Sequence, residues 1–220
     1  MKQCKYFLLL GVLLSYFISD YLPVEWGWEN SLLEWSQVVI LIVGLILNYT
    51  WWREAKSIPQ NIRNARFLLW ALPLWLLIIA RELSWGRVFY PQGFDAVDGP
   101  YFLPLSQLPY GPIVYPLLTI IIVVWLYVVV KDRLYKIPYE LLRKHRFPVA
   151  EFIIVALAVI DADIGEQKLH LKNMEEFDEC LAYLGLILVA YYVQKALRKE
   201  TKELVRESRD SSLDSGGKFL

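Results

Sequence analysis

The sequence predicts an all-α fold: a polytopic membrane helix bundle of about six transmembrane helices, with both termini cytoplasmic. Three observations lead there. The chain has 220 residues, of which 56% are apolar and 15% aromatic, and nine are Trp, a composition seldom met in soluble domains. The apolar residues gather into six runs, each near the ~20 residues that cross about 30 Å of hydrocarbon. The basic residues are confined to alternate gaps between those runs.

The expected spans lie near 5–24, 31–52, 67–86, 111–130, 148–167 and 177–195. Lys2 and Lys5 precede the first, which resembles a signal peptide. Its apolar run is followed by Ser19, Asp20 and Pro23 rather than a small-residue cleavage site, so it is expected to stay as a span. Trp26 and Trp28, in the aromatic and acidic link before the second span, suit the membrane interface, as do Trp51 and Trp52 at its far end. Pro73 is expected to kink the third span by removing a backbone donor. The segment 87–112 holds five prolines and many aromatics. It cannot form a long helix, and is expected to fold back on the bundle as a lid, a re-entrant piece or an interfacial plug. The spans make up a membrane domain over 1–199. Residues 200–220 form a charged cytoplasmic tail, helical at first and disordered over 211–217.

Formal net charge is zero, but the charges are segregated. Of the 23 basic residues, 19 fall before span one, between spans two and three, between spans four and five, and after span six. Only Arg81, Arg87, Lys168 and Lys172 fall on the other side. The positive-inside rule then places both ends in the cytoplasm. The same rule, with attraction to anionic lipid, accounts for the basic loops without a nucleic-acid partner. Cys4 and Cys180 are expected at opposite faces, too far apart to pair, and no thiol metal spacing exists.

The chemistry lies in an acidic layer. Counting from the basic ends at about 1.5 Å per residue, Asp20, Glu34, Glu82, Asp161, Asp163, Asp178 and Glu179 reach the outer quarter of the bilayer, with Arg81 beside them. Acids on neighbouring helices must be protonated, paired or neutralised by a cation. The candidate polar cluster is Glu34, Arg81, Glu82, Ser84, Asp161, Asp163 and Glu179. Glu34, Glu82, Asp161 and Glu179 are expected to converge in one outer cavity. Arg81 and Glu82 are sequence neighbours and cannot share a helix face, so Glu82 is expected to point inward. Ser84 is expected to bond a substrate or a backbone carbonyl. His170, with Glu175 and Glu176, has the ligand types of a metal site, and a divalent metal is the cofactor such a set would hold.

Glu82-Leu83-Ser84-Trp85-Gly86, followed by Arg87-Val88-Phe89, resembles a motif of uncharacterised bacterial multi-pass inner-membrane proteins. Their pattern reads Glu-Glu-(Ile/Leu)-Ser-Trp-Gly-Gln and then an aromatic. Glu175, Glu176 and Glu179 are similar to the Glu-Glu-x-x-Glu run that opens their last helix. Arg81 and Arg87 depart from the pattern. The resemblance implies an inner-membrane protein and no particular reaction. Three function classes stay open. One is a protein binding a cation, metal or amine. Another is a membrane-embedded hydrolase or transferase acting on a lipid or lipid-linked substrate through carboxylate or metal chemistry. The last is an accessory subunit without chemistry. The expected partners are the bilayer and a lipid or cationic small molecule.

Overall fold

The computed structural model describes residues 3–96 and 99–216. Each of the six apolar runs is helical. The helices are α1 (Cys4–Ser19), α2 (Leu32–Lys56), α3 (Ile62–Glu82), α4 (Gly111–Lys131), α6 (Val149–Ile164) and α7 (Lys172–Gly216), with a short α5 (Lys136–Arg143) between α4 and α6. Four segments are long and apolar enough to cross a membrane: Leu32–Lys56, Ile62–Glu82, Gly111–Lys131 and Lys172–Arg206. Cys4–Ser19 is apolar but shorter. α6 has 16 residues and runs on into a π-turn, Gly165–Leu169.

Local sequence explains the boundaries. α2 starts behind Ser31, whose hydroxyl donates to the Trp26 carbonyl at 2.5 Å. It carries Glu34 in its first turn and Arg53 and Lys56 in its last, the order its macrodipole favours. α4 opens with Pro112 in its first turn, where a missing N–H costs nothing. His170 adopts a left-handed φ of 55° after the π-turn, which lets the chain reverse into α7.

α7 is the axis. It packs against α1, α2 and α6, while α2 pairs with α3. Gly44 brings α2 and α3 together: a Cβ there would stand 2.3 Å from the Trp75 ring. Leu41, Trp75 and Tyr183 form a buried cluster joining α2, α3 and α7. Nearer the basic end, Leu134, Ile137 and Leu141 pack on Val189, Val193 and Leu197 of α7. Buried amides knit the helices as well. Asn48 donates to the Leu68 carbonyl at 2.9 Å, and Thr201 to Asn61 Oδ1 at 2.8 Å, as expected where apolar surroundings leave polar groups no other partner.

α4 is the outlier, with none of its apolar window buried. The Trp125 indole donates to the Trp70 carbonyl at 2.7 Å. Trp70 lies one turn before Pro73, where proline interrupts the backbone ladder of α3.

The segment 87–112 is not helical along its length, as expected. It forms an antiparallel hairpin of β1 (Pro91–Asp95) and β2 (Gly99–Phe102), flanked by 3-10 turns. The hairpin packs edge-on against Trp28, with the Phe94 and Trp28 rings 5.3 Å apart. The tail differs from its expected form. α7 runs without a break to Gly216, so 211–216, expected to be disordered, lies within the helix, and 217 falls outside the described residues.

Candidate functional site

Five of the seven candidate polar residues line one cavity of about 650 Å³: Glu34, Arg81, Glu82, Ser84 and Glu179. Gly27, Glu29, Glu166, His170, Lys172, Glu175 and Glu176 complete its wall. α2, α3 and α7 supply most of the charges, and the link before α2 supplies Gly27 and Glu29.

Arg81 organises one side. Its Nη2 lies 2.8 Å from Glu179 Oε1 and its Nη1 lies 3.3 Å from Glu82 Oε1. Nη1 also donates to the Tyr183 hydroxyl at 3.1 Å. Tyr183 in turn donates to Glu82 Oε1 at 2.7 Å. Glu82 is only 6% exposed, pointing inward as its sequence position suggested. Arg81 does not turn away from it. The flexible guanidinium stem folds back and meets Glu82 and Glu179 together.

The opposite side is held by backbone and amide donors. The Asn30 N–H donates to Glu34. Gln37, fully buried, donates to Glu176 Oε2 at 2.8 Å and to the Glu176 carbonyl at 3.0 Å. The rim is set by three consecutive left-handed residues, Ser84 (φ 45°), Trp85 (φ 56°) and Gly86 (φ 89°). This turn ends α3 and aims Ser84 Oγ at Glu29 Oε1, 3.2 Å away. Arg87 follows. Its Nη2 is 3.4 Å from Glu29 Oε1, and its Nε donates to the Leu103 carbonyl beyond β2. Arg87 therefore fastens the hairpin to the rim. Among the described residues, none of the hairpin lines the cavity itself.

Two expected members lie elsewhere. Asp161 does not enter this cavity; it faces Ser15 of α1, with Ser15 Oγ 3.0 Å from Asp161 Oδ2. Asp163 is exposed and accepts from Gln167 at 2.5 Å. The reason is azimuth rather than depth. α6 packs on the side of α7 turned away from α3, so an acid at the right height on α6 meets α1 instead. Asp20, another member of the expected layer, is exposed.

The expected metal set is not assembled either. His170, Glu175 and Glu176 all touch the cavity. Among the described residues, however, no three His, Cys, Asp or Glu side chains are gathered to hold a metal ion. Glu176 is turned to Gln37, and His170 sits on the left-handed residue before α7.

Sequence reasoning missed Glu29, Gln37 and Tyr183 as members. Gln37 is three residues after Glu34 and Tyr183 four after Glu179, each one turn deeper on the same helix face. Both were findable from that spacing.

No family model, curated protein or solved structure matches the chain.

Seven carboxylates thus face two fixed cations, Arg81 and Lys172, around one space. Ionised carboxylates only accept hydrogen bonds. The space is within the size range of small-molecule sites, about 300–1,000 Å³. Its complement is a compact positive group rich in N–H donors.

Proposed function

We propose that the chain is a multi-pass protein of a bacterial cytoplasmic membrane, with six crossings and both termini inside, and that its acidic cavity opens outward and binds an organic ammonium group. The observation that carries the ligand class is the excess of carboxylates around a single 650 Å³ space, with the Arg81 guanidinium already engaged by Glu82, Glu179 and Tyr183. The segregation of basic residues supports the orientation. The crossings beyond the four long segments rest on α1 and on α6 lengthened by its π-turn.

The test is equilibrium dialysis of the purified full chain against labelled spermidine, with labelled glutamate as the anionic control. Spermidine should bind, weaken at least tenfold in Glu34→Gln/Glu175→Gln, and weaken with added salt. Glutamate should not bind. Binding of neither compound, or equal binding of both, overturns the amine reading.

A second reading, hydrolysis or group transfer on a lipid-linked substrate, is favoured by Ser84. Its hydroxyl donates to a carboxylate from a strained turn on the cavity rim, an arrangement found around activated nucleophiles. A fluorophosphonate probe that labels Ser84 and not the Ser84→Ala protein would select this reading. An unlabelled Ser84 would remove it.

A further inference from the structure

A second polar site lies on another face of α7. Asp178 is fully buried, and neither of its carboxylate oxygens has a hydrogen-bond partner. It stands beside Asp161 of α6 where α1, α6 and α7 meet, and the single Ser15 hydroxyl of α1 faces both acids. We infer that Asp161 and Asp178 share one proton, making the junction of α1, α6 and α7 a proton-binding site separate from the outer cavity.

The argument is a count of hydrogens. Ser15, 1% exposed, has one hydroxyl hydrogen. Its Oγ lies 2.9 Å from the Val12 carbonyl and 3.0 Å from Asp161 Oδ2. Both neighbours are acceptors, so one hydrogen cannot complete both contacts. A helical Ser hydroxyl commonly donates to a carbonyl three or four residues back. If Ser15 does so, the contact with Asp161 is a bond only when Asp161 brings its own hydrogen. If Ser15 donates to Asp161 or to Asp178 instead, the Val12 carbonyl still has the ladder of α1, and the other acid gains no hydrogen from Ser15. Two adjacent carboxylates are acceptors only, and one added proton turns their contact into a hydrogen bond. Like charges so placed cannot both ionise.

Among the described residues, nothing else nearby supplies the missing charge. From α1 the neighbouring polar groups are Ser15 and Ser19, and Ser19 donates to the Tyr16 carbonyl at 2.7 Å. From α6 the facing group is Asp161. α2 turns its polar groups Glu34 and Gln37 to the other side, toward Glu176. On α7 itself, Glu175, Glu176 and Glu179 face the cavity, and Arg81 is spent on Glu82 and Glu179. One turn deeper, Val12, Ala158 and Ala182 close the junction with apolar contacts. The small residues let the three helices approach closely, with Ser15 and Asp178 buried and Asp161 partly exposed at the edge of the junction.

Infrared difference spectroscopy of the full chain in lipid vesicles tests this. At neutral pH, wild type minus Asp178→Asn should show a carboxylic acid C=O band, and wild type minus Asp161→Asn should show the same band. Either Asn brings a donor that lets the remaining acid ionise. Detergent unfolding gives the second readout. The wild-type unfolding constant should rise by up to about tenfold per pH unit while the folded dyad keeps a proton that the unfolded acids have lost, and level off once the dyad releases it too; both variants should flatten that rise. If Asp178→Asn does not accumulate, Asp161→Asn carries both measurements. No carboxylic acid band in wild type at neutral pH overturns the inference, as does a band or an alkaline rise untouched by the variants. Alkaline stability restored by NaCl but not by choline chloride would mean a sodium site and overturn it too.

Discussion

Tyr183 joins the apolar floor to the charged wall. Its ring belongs to the cluster with Leu41 and Trp75, while its hydroxyl accepts from Arg81 and donates to Glu82. Tyr183→Phe keeps the packing and strips a donor from a buried carboxylate. The expected loss is about 1–3 kcal/mol, the range for leaving a buried polar group unsatisfied. Chemical unfolding of the two proteins in the same detergent measures it, and a loss indistinguishable from zero would mean that water replaces the hydroxyl. Residue identity was readable in the sequence as far as depth goes. Glu34, Arg81, Glu82, Ser84 and Glu179 were placed by counting along helices, and they share the cavity. Azimuth was not readable. Asp178 and Glu179 are adjacent, yet each residue turns a helix by about 100°, and the two acids serve different faces of α7. Without knowing which helix lies on which side, Asp161 could not be separated from Glu34.

At the element scale, contact between α2 and α3 depends on Gly44. A Cβ would already meet the Trp75 ring at 2.3 Å, so Gly44→Leu must push the helices apart. Overpacking of this kind costs about 1–3 kcal/mol, and because Trp75 packs with Tyr183, whose hydroxyl holds Glu82, spermidine binding should fall with it. Retained stability and binding would show that Trp75 has room to rotate. α5 was hidden in what looked like a basic loop, although Ile137 and Leu141 have the i, i+4 spacing of a buried stripe. It is tied to α3 by a two-pronged pair, Arg63 to Glu140 at 3.0 and 2.7 Å. That pair holds the Glu140 carboxyl below its ordinary range. A group lowered in the folded state contributes stability that is present above its ordinary pKa and lost as pH falls through the lowered one. Glu140→Gln should therefore flatten the acid side of the stability curve, by about 1 kcal/mol or less because the pair is exposed. An unchanged acid limb would show that the pair adds nothing.

For the whole molecule, the order of helices was legible because the apolar runs are long and the basic residues gather in alternate gaps between them. The hairpin was not. Its residues Pro91–Asp95 and Gly99–Phe102 do not alternate in polarity, and the pairing is fixed by contact with Trp28 and by Arg87 rather than by pattern. The orientation proposed above has a direct measurement in the cysteines. Cys4 is exposed and Cys180 buried, and both are free. In intact cells, an impermeant maleimide should label neither. In inside-out vesicles it should label Cys4 alone. Labelling of Cys4 from outside would reverse the molecule and turn the acidic cavity toward the cytoplasm.

α7 is one unbroken helix of 45 residues, roughly 68 Å of continuous hydrogen-bonded rod at 1.5 Å per residue. Its first turns carry both acid sites, and its far half carries Lys195, Arg198 and Thr201. Were such a rod to tilt, it would act as a lever. A tilt of about 5° where Glu179 meets Arg81 sweeps the other end through roughly 5 Å, given that length. A tilt set off by binding among the acids would therefore reach the opposite surface with no moving loop between.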